Sequence, residues 1–223
     1  SLWRTLLEEV DGEHLTSLEC VVVAGEACPP SLVSRHHRQL PGVRLVNEYG
    51  PSEATVWATS GELQPEPEAP GVTIGRPVPF VRVYLLDPHG RPVPPGASGE
   101  ICLGGDTVAR GYLDPNQPSS ARFVPDPFRS GGRMYRTGDR GRFRDDGRLD
   151  FLGRVDDQFK IRGYRVEPGE IEGVLGTAPG VLEAAVAFEA PPSGTQLDAL
   201  VTALLDRGGP DAESLLIRLL EPS

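Results

Sequence analysis

A strand–helix–strand pattern in the first fifty residues restricts the fold more than any other feature of the sequence. The apolar run at 18–26 (LECVVVAGE) is typical of a short buried strand. The stretch 29–40 begins with two prolines and predicts a helix, because proline suits the first helical turn. The run at 43–50 (VRLVNEYG) predicts a second strand. Two strands joined by a helix within about 30 residues indicate a βαβ unit with a parallel strand pair.

Chemically active side chains cluster where these two strands are expected to end. Gly25 would follow the first strand, and Tyr49–Gly50 would close the second. In open α/β sheets this edge is where ligands bind. Residues 46–55 (VNEYGPSEAT) bring a ring, a glycine and two carboxylates to it. Taken alone, the same residues favour a surface turn shaped by Pro51 over a ligand site.

The middle of the chain predicts a small β domain. A proline-rich acidic connection at 64–71 precedes it. Far upstream, Leu2, Leu6 and Val10 are spaced four apart and predict a helix over 1–10. Strands are expected at 80–87 and 100–105. The stretch 141–154 predicts a hairpin that turns at Asp146–Gly147.

The last third predicts an α+β unit. Pro168 suits the start of a helix. Strands are expected at 182–190 and 198–206, and an amphipathic helix at 210–221. The expected fold class is therefore α/β, with three parts: a βαβ-containing part (1–75), a distorted β-barrel (76–155) and a small α+β lobe (156–223).

Composition excludes several classes of protein. The 223 residues are 38% hydrophobic, which is enough to form a core. The formal net charge of -10 argues against a nucleic-acid partner, since phosphate backbones would be repelled. No apolar run is long enough for a membrane span, and the N-terminus lacks the pattern of a signal peptide.

The cysteines and histidines point to no metal cluster. Three cysteines without CxxC spacing fit a reducing, cytoplasmic setting. The four histidines show no ligand spacing and are expected at the surface.

Four stretches in this order carry a specific resemblance. They are NEYGPSE (47–53), GEICLGGDTVARGYL (99–113), YRTGD (135–139) and GRVDDQFKIRGYRVEPGEIE (153–172). With them the chain resembles the adenylation domain of nonribosomal peptide synthetases, which are adenylate-forming enzymes. The resemblance implies that an amino acid is activated by ATP and Mg²⁺ and then loaded onto the phosphopantetheine thiol of a peptidyl carrier protein. Neighbouring synthetase domains are the further partners that it implies.

The resemblance also implies roles for individual residues. Glu53 would be the catalytic Mg²⁺ ligand, since Mg²⁺ takes one or two carboxylates plus phosphate oxygens. Ser52 would donate its hydroxyl to the α-phosphate. Asp139 would accept both ribose hydroxyls, because a carboxylate has enough acceptor sites. The other nucleotide contacts would be Gly25, which leaves room for adenine, together with Tyr49, Gly50, Phe151 and Arg154.

A side-chain pocket is implied at Val22, Ala24, Glu48, Val56 and Trp57. A carboxylate in a pocket is costly unless a donor pairs with it. Glu48 therefore favours a substrate with a donor: a large aromatic amino acid such as tyrosine, or else a basic one. The alternative is that Glu48 lies at the pocket rim and stays hydrated.

Asp156 matches the hinge about which the small lobe rotates after adenylation. Gly163 would then approach the phosphopantetheine arm. Lys160 and Arg162 would line the same channel, or they are ordinary exposed charges on a strand.

The family's phosphate loop and catalytic lysine would lie outside residues 1–223. The chain is therefore expected to be an internal piece that is inactive by itself. Two alternatives stay open: an acyl- or aryl-CoA ligase of the same superfamily, and a non-catalytic lobe that docks neighbouring domains.

Overall fold

A computed structural model describes most of the first 155 residues and separate segments of the remainder. The described residues are 2–10, 12–15, 17–65, 72–114, 118–155, 159–161, 164–166, 168–178, 181–189, 198–205 and 213–219. The chain divides into two compact units, Ser1–Asp156 and Asp157–Ser223. The three-part division stays a prediction.

The first unit opens with the strand–helix–strand arrangement that the sequence predicts. Its elements are α1 (Leu2–Glu9), β1 (Cys20–Ala24), α2 (Pro30–Gln39) and β2 (Arg44–Tyr49). β1 and β2 are parallel, with Ala24 opposite Glu48. Two antiparallel strands, β3 (Thr59–Glu62) and β4 (Arg76–Pro77), complete a four-stranded sheet in the order β1-β2-β3-β4.

Apolar side chains of α1 and α2 pack with this sheet. The buried cluster contains Trp3, Leu7, Leu32, Val33, Leu40, Val43, Leu45 and Leu63. Val21 and Val23 of β1 pack against it, whereas Val22 is 53% exposed and Ala24 is exposed. Alternate residues of a strand point to opposite faces, so β1 is covered on one face and open on the other among the described residues. Parallel strands are usually covered on both faces, so the open face is suited to contact with a further element or a ligand.

The prediction that all four histidines lie at the surface is wrong for His36. This side chain is fully buried, its Nε2 lies 2.7 Å from the carbonyl oxygen of Val43, and its ring packs 5.7 Å from that of Trp3. Burial lowers the pKa of His36, which keeps the ring neutral. Metal-ligand spacing carries no information about burial, and α2 presents this position to the core beside Leu32 and Val33.

A second, five-stranded antiparallel sheet follows. Its strands are β5 (Val81–Leu86), β6 (Ser98–Gly105), β7 (Phe123–Pro125), β8 (Arg133–Phe143) and β9 (Leu149–Arg154). The order is β5-β6-β8-β7, and β9 also pairs with β8. The predicted hairpin is confirmed: Gly147 has φ +78° and its N–H donates to the carbonyl of Arg144 (2.8 Å). The barrel-like closure stays a prediction.

The two sheets share a core that reaches the end of β2. Its buried side chains are Ala54, Ala58, Ile74, Val81, Leu85, Ile101, Leu103 and Leu149. Leu149 N–H donates to the carbonyl of Gly75 (2.7 Å), and Ile74 N–H donates to that of Leu149 (2.8 Å). The turn after β2 is therefore held against the second sheet.

In the second unit, a short hairpin precedes a helix and a three-stranded sheet. The elements are β10 (Phe159–Ile161), β11 (Tyr164–Val166), α3 (Pro168–Gly176), β12 (Val181–Glu189), β13 (Asp198–Leu205) and β14 (Glu213–Leu219). The sheet is antiparallel in the order β12-β13-β14. The predicted helix at 210–221 is wrong, because this segment forms β14. The segment contains the continuous apolar run Leu215–Ile217, whose pattern does not separate helix from strand, and pairing with β13 decides.

Within the described part of the chain, no helix has the length and apolar character that a membrane crossing requires.

Candidate functional site

The turn after β2 is built by close backbone packing. A Cβ atom on Gly50 would lie 2.5 Å from the carbonyl oxygen of Val56 and 2.8 Å from the amide nitrogen of Ala58. The Ala58 N–H donates to the carbonyl of Tyr49 (2.9 Å), and that of Val56 donates to Pro51 (3.0 Å). Only glycine fits at residue 50, and the chain can therefore fold back directly after Tyr49.

Backbone strain is stored in the same turn. Residues Ser52–Ala54 form one turn of 3₁₀-helix, and Thr55 and Val56 follow with φ of 59° and 68°. Left-handed conformations are costly for β-branched residues and cluster at functional sites. The hydroxyl of Thr55 donates to the carbonyl of Thr107 (2.6 Å), which helps to hold the strained conformation.

Glu53 is a buried carboxylate held by two phenols. Its exposed fraction is 7%. The hydroxyls of Tyr112 and Tyr135 both donate to its Oε1 atom, the latter at 3.0 Å. The N–H of Ala109 donates to its main-chain carbonyl (2.8 Å). Burial, and then the hydrogen bond to Glu53, raise the pKa of the Tyr112 phenol, so it remains a donor at neutral pH.

Asp139, in the middle of β8, is a second buried carboxylate. It accepts a hydrogen bond from the Tyr49 hydroxyl (2.5 Å) and another from the guanidinium of Arg154. Arg154 also donates to the carbonyl of Thr137 (3.1 Å), and the Thr137 hydroxyl accepts from the Asp139 N–H (2.9 Å). Gly138, at φ +73°, lies where the pairing of β8 with its neighbours becomes irregular. Such bulges re-aim side chains next to binding sites.

The Tyr49 ring joins this cluster to an exposed aromatic residue. Its centroid lies 6.2 Å from that of Phe151, at an interplanar angle of 44°. Burial raises the pKa of the Tyr49 phenol well above its ordinary value, and the charge of Asp139 raises it further. The phenol therefore stays protonated and donates to Asp139. The carboxyl end of β2 thus carries a ring and a neutral hydroxyl beside an ion pair of the second sheet.

Comparison with known proteins then identifies the family. Residues 1–113, just over half of the 223-residue chain, match the model of the AMP-binding enzymes. The chain belongs to the AMP-binding enzyme family. Its resemblance to the adenylation domains of nonribosomal peptide synthetases is confirmed by its relatives within this family.

Curated relatives of this AMP-binding chain include a bacitracin synthase and a novobiocin biosynthesis protein. It is 43% identical over 221 residues to bacitracin synthase 3 of Bacillus licheniformis, covering 99% of this chain and 3% of that protein. It is 50% identical over 188 residues to novobiocin biosynthesis protein H of Streptomyces niveus, covering 83% and 30%. The chain therefore spans only a small part of the length of the curated relatives it matches.

Solved structures agree with this family. The chain superposes on PA1221, a synthetase protein that contains adenylation and PCP domains, with a TM-score of 0.75 and 32% identity, covering 94% of this chain and 42% of that one. It superposes on IdnL1 with a TM-score of 0.77 and 32% identity, covering 95% and 44%. The mixed α/β architecture expected from the sequence is therefore that of known adenylation domains.

The structure brings four of the predicted nucleotide contacts together: Tyr49, Asp139, Phe151 and Arg154 form one cluster. Ser52 lies exposed in the neighbouring turn. Gly25 has φ +81°, and a Cβ there would meet no atom of the chain within 4 Å. The backbone conformation therefore explains the glycine at residue 25. No atom of this chain would clash with a side chain there, so the role of leaving room for adenine stays a prediction.

The predicted pocket residues are each exposed or partly exposed. Val22 and Ala24 lie on the uncovered face of β1, and the parallel register places Glu48 beside Ala24. Val56 and Trp57, in the strained turn, are 65% and 49% exposed. All five positions are therefore accessible or partly accessible to a ligand.

The hinge and channel predictions fall mainly outside the described residues. Asp156, Arg162 and Gly163 lie outside them. Lys160 lies in β10, opposite Arg165 of β11, and only its backbone is described.

The carboxylate oxygens of Glu53 and Asp139 fit a nucleotide with bound Mg²⁺. No group of three or more His, Cys, Asp or Glu side chains suited to a metal occurs in the described part of the chain. Mg²⁺ that is held mainly by phosphate oxygens needs only one or two protein carboxylates, and Glu53 is a hard oxygen ligand of that kind. Asp139 has about four acceptor positions, so two hydroxyls can join Tyr49 and Arg154.

Tyr112, Tyr135 and Thr137 were missed by the sequence reasoning. All three lie inside the matching stretches GGDTVARGYL and YRTGD. Membership of those stretches was the available signal, but it does not reveal which residue each side chain contacts.

Proposed function

We propose that the polypeptide carrying this chain activates an amino acid with ATP and transfers it to the thiol of a carrier protein. In the first step, an oxygen of the amino-acid carboxylate attacks the α-phosphorus of ATP, and the bond to the β-phosphate breaks to release pyrophosphate. In the second, the carrier thiol, losing its proton, attacks the acyl carbon of the aminoacyl-adenylate and AMP leaves.

One observation carries this proposal: the hydrogen bond between Tyr49 and Asp139. It joins the stretch NEYGPSE to the stretch YRTGD, 90 positions apart in sequence. Arg154 adds the positive charge of a third matching stretch. A flat ring beside a carboxylate is suited to a nucleoside, because the ring stacks on the base and the carboxylate accepts from ribose hydroxyls.

Glu53 supports the phosphate chemistry. Both the amino-acid carboxylate and the triphosphate are anions, so their approach needs compensating positive charge. Glu53 would hold Mg²⁺, which supplies that charge when bound. Ser52, exposed one residue earlier, would donate a hydrogen bond to the α-phosphate.

The substrate proposed is an amino acid whose side chain carries a hydrogen-bond donor. Glu48 is partly buried on the open face of β1 and β2, next to the small Ala24. Trp57 offers a large apolar wall in the turn that follows. A phenol or a basic group would pair with Glu48. The side chain of tyrosine would pack its ring against Trp57 and donate its hydroxyl to Glu48.

A carrier protein is the proposed acceptor. PA1221 contains adenylation and PCP domains, and this chain superposes on it over 94% of its length. We place the hinge of the second step at Asp156, and the channel for the carrier arm at Lys160, Arg162 and Gly163.

The test is pyrophosphate exchange into ATP by the full polypeptide, driven by a panel of amino acids. Tyrosine should drive exchange best, and Glu48→Gln should weaken the preference, whereas the exposed Glu62→Gln on β3 should not. Best exchange with leucine or valine and an unaltered Glu48→Gln profile would contradict the substrate assignment. Exchange with fatty or aryl acids and transfer to free CoA would favour a CoA ligase. Absence of nucleotide binding would favour a docking lobe.

A further inference from the structure

Glu53 has an unusual pair of hydrogen-bond donors. Tyr112 follows β6 and Tyr135 lies on β8, and yet both phenols donate to the same oxygen, Oε1. A carboxylate group is planar, so fixing one oxygen from two directions restricts rotation of the whole group. The position of Oε2 is then determined as well.

The two phenol rings are themselves held in place by a third ring. Phe123 of β7 lies 5.4 Å from Tyr112, nearly perpendicular to it, and 4.9 Å from Tyr135. The guanidinium of Arg133 lies over the outer side of Phe123, 5.8 Å from its centroid. Tyr135 is fully buried. Packing therefore fixes where both hydroxyls point, independently of any ligand.

The main chain of Glu53 is fixed from the same side. Ala109, three residues before Tyr112, donates its N–H to the Glu53 carbonyl. The hydroxyl of Thr55 reaches the carbonyl of Thr107 in the same loop. Backbone and side chain of Glu53 are thus both oriented by the segment 107–112.

We propose that Tyr112 and Tyr135 are positioning residues that orient Glu53 for Mg²⁺ binding. The inference rests on the proposed function, in which Glu53 is the ligand. Groups that hydrogen-bond to a metal ligand set its orientation, and removing one typically weakens metal binding or activity about 10- to 100-fold. Neither phenol touches nucleotide or metal in this scheme.

Titration calorimetry of a non-hydrolysable ATP analogue, with Mg²⁺ and with EDTA, separates this role from a structural one. The full polypeptide is used, with Tyr112→Phe, Tyr135→Phe and Glu53→Gln. Tyr84→Phe is the matched control, because Tyr84 also donates to a buried carboxylate, Asp126 (3.0 Å), but away from Glu53.

Both phenylalanine variants at 112 and 135 should bind the metal-free analogue as the wild type does and lose roughly ten-fold or more of the Mg²⁺-dependent gain in affinity. Tyr84→Phe should keep that gain, and Glu53→Gln should lose it. Since Tyr112 is only half-buried, Tyr112→Phe decides the question where Tyr135→Phe fails to fold.

The outcomes separate the two ideas. If Glu53→Gln loses the gain while both tyrosine variants keep it within about two-fold, the positioning role is wrong and the proposed function stands. If Glu53→Gln keeps the gain, Glu53 is not the metal ligand, and the positioning role falls together with the metal assignment in the proposed function. An equal loss in Tyr84→Phe would show a general effect of losing a buried phenol and would also overturn the inference.

Discussion

Replacing Gly50 by alanine should damage the turn that presents Tyr49 and Glu53. The new Cβ would approach Val56 O to 2.5 Å, Ala58 N to 2.8 Å and the Val56 carbonyl carbon to 2.9 Å. All three are backbone atoms, which cannot move aside as the end of a flexible side chain can. The turn must therefore open, and the Ala58–Tyr49 hydrogen bond is the first to be lost.

The magnitude follows from these contacts. Overpacking costs about 1–3 kcal/mol, and the upper end applies because the obstacle is backbone on several sides. The lost hydrogen bond adds about 1 kcal/mol. The lower entropy of an alanine-containing unfolded chain returns about 0.4–1 kcal/mol. The free energy of unfolding of the first unit should thus fall by roughly 3 kcal/mol.

Urea unfolding followed by tryptophan fluorescence measures this change. Trp57 lies in the affected turn, and Trp3 of α1 lies in the buried cluster of the first sheet, so the fluorescence follows unfolding of both regions. Gly42→Ala is the matched control, since its Cβ would meet nothing within 4 Å. A difference between the two variants below about 1 kcal/mol would refute the packing argument.

Three further predictions follow from the charges and the hinge. In the full polypeptide, Asp139→Ala should weaken ATP binding by about 1.5–3 kcal/mol, because ribose hydroxyls lose a charged acceptor; an unchanged dissociation constant in calorimetry would remove that role. Asp156→Pro should reduce carrier loading more than pyrophosphate exchange, since proline fixes φ, and equal losses would mean that residue 156 is not the hinge. The neutral, buried His36 has a lowered pKa, so its contribution to stability is complete above the ordinary value of 6.5 and is lost as pH falls below it. Unfolding measured from pH 7 to 5 should show this loss of stability. His36→Gln should reduce the loss, and replacement of the exposed His14 by Gln should not. An identical pH slope in the wild type and both variants would contradict the prediction.

Local elements were predictable where one period dominates. The parallel pair β1–β2 and its connecting α2 were expected from apolar runs and prolines, and all three are present. The buried face of α1 carries Trp3 and Leu7, however, whereas Leu2 of the expected apolar spacing is 77% exposed. A helical period predicts that a face is buried, but the neighbouring elements decide which one.

Elements without a clear period were not predictable. The segment at β14 centres on the continuous apolar run Leu215–Ile217, which suits helix and strand alike, so its conformation depends on the edge that β13 offers. The absence of metal-ligand spacing around His36 does not indicate whether its side chain is buried, and its burial follows from the contact between α1 and α2. In both cases a partner distant in sequence decides the outcome.

For the candidate site, the sequence by itself determined the family and the residues that we propose carry the chemistry. NEYGPSE, YRTGD and their companions identify Tyr49, Glu53, Asp139 and Arg154 without coordinates, because each stretch is a local signature. Only the tertiary structure decided that Tyr49 donates to Asp139 and that Tyr112 and Tyr135 converge on Glu53. Motifs record which residue types are present, whereas hydrogen bonds across 59 to 90 positions depend on strand register and on the packing of one sheet against another.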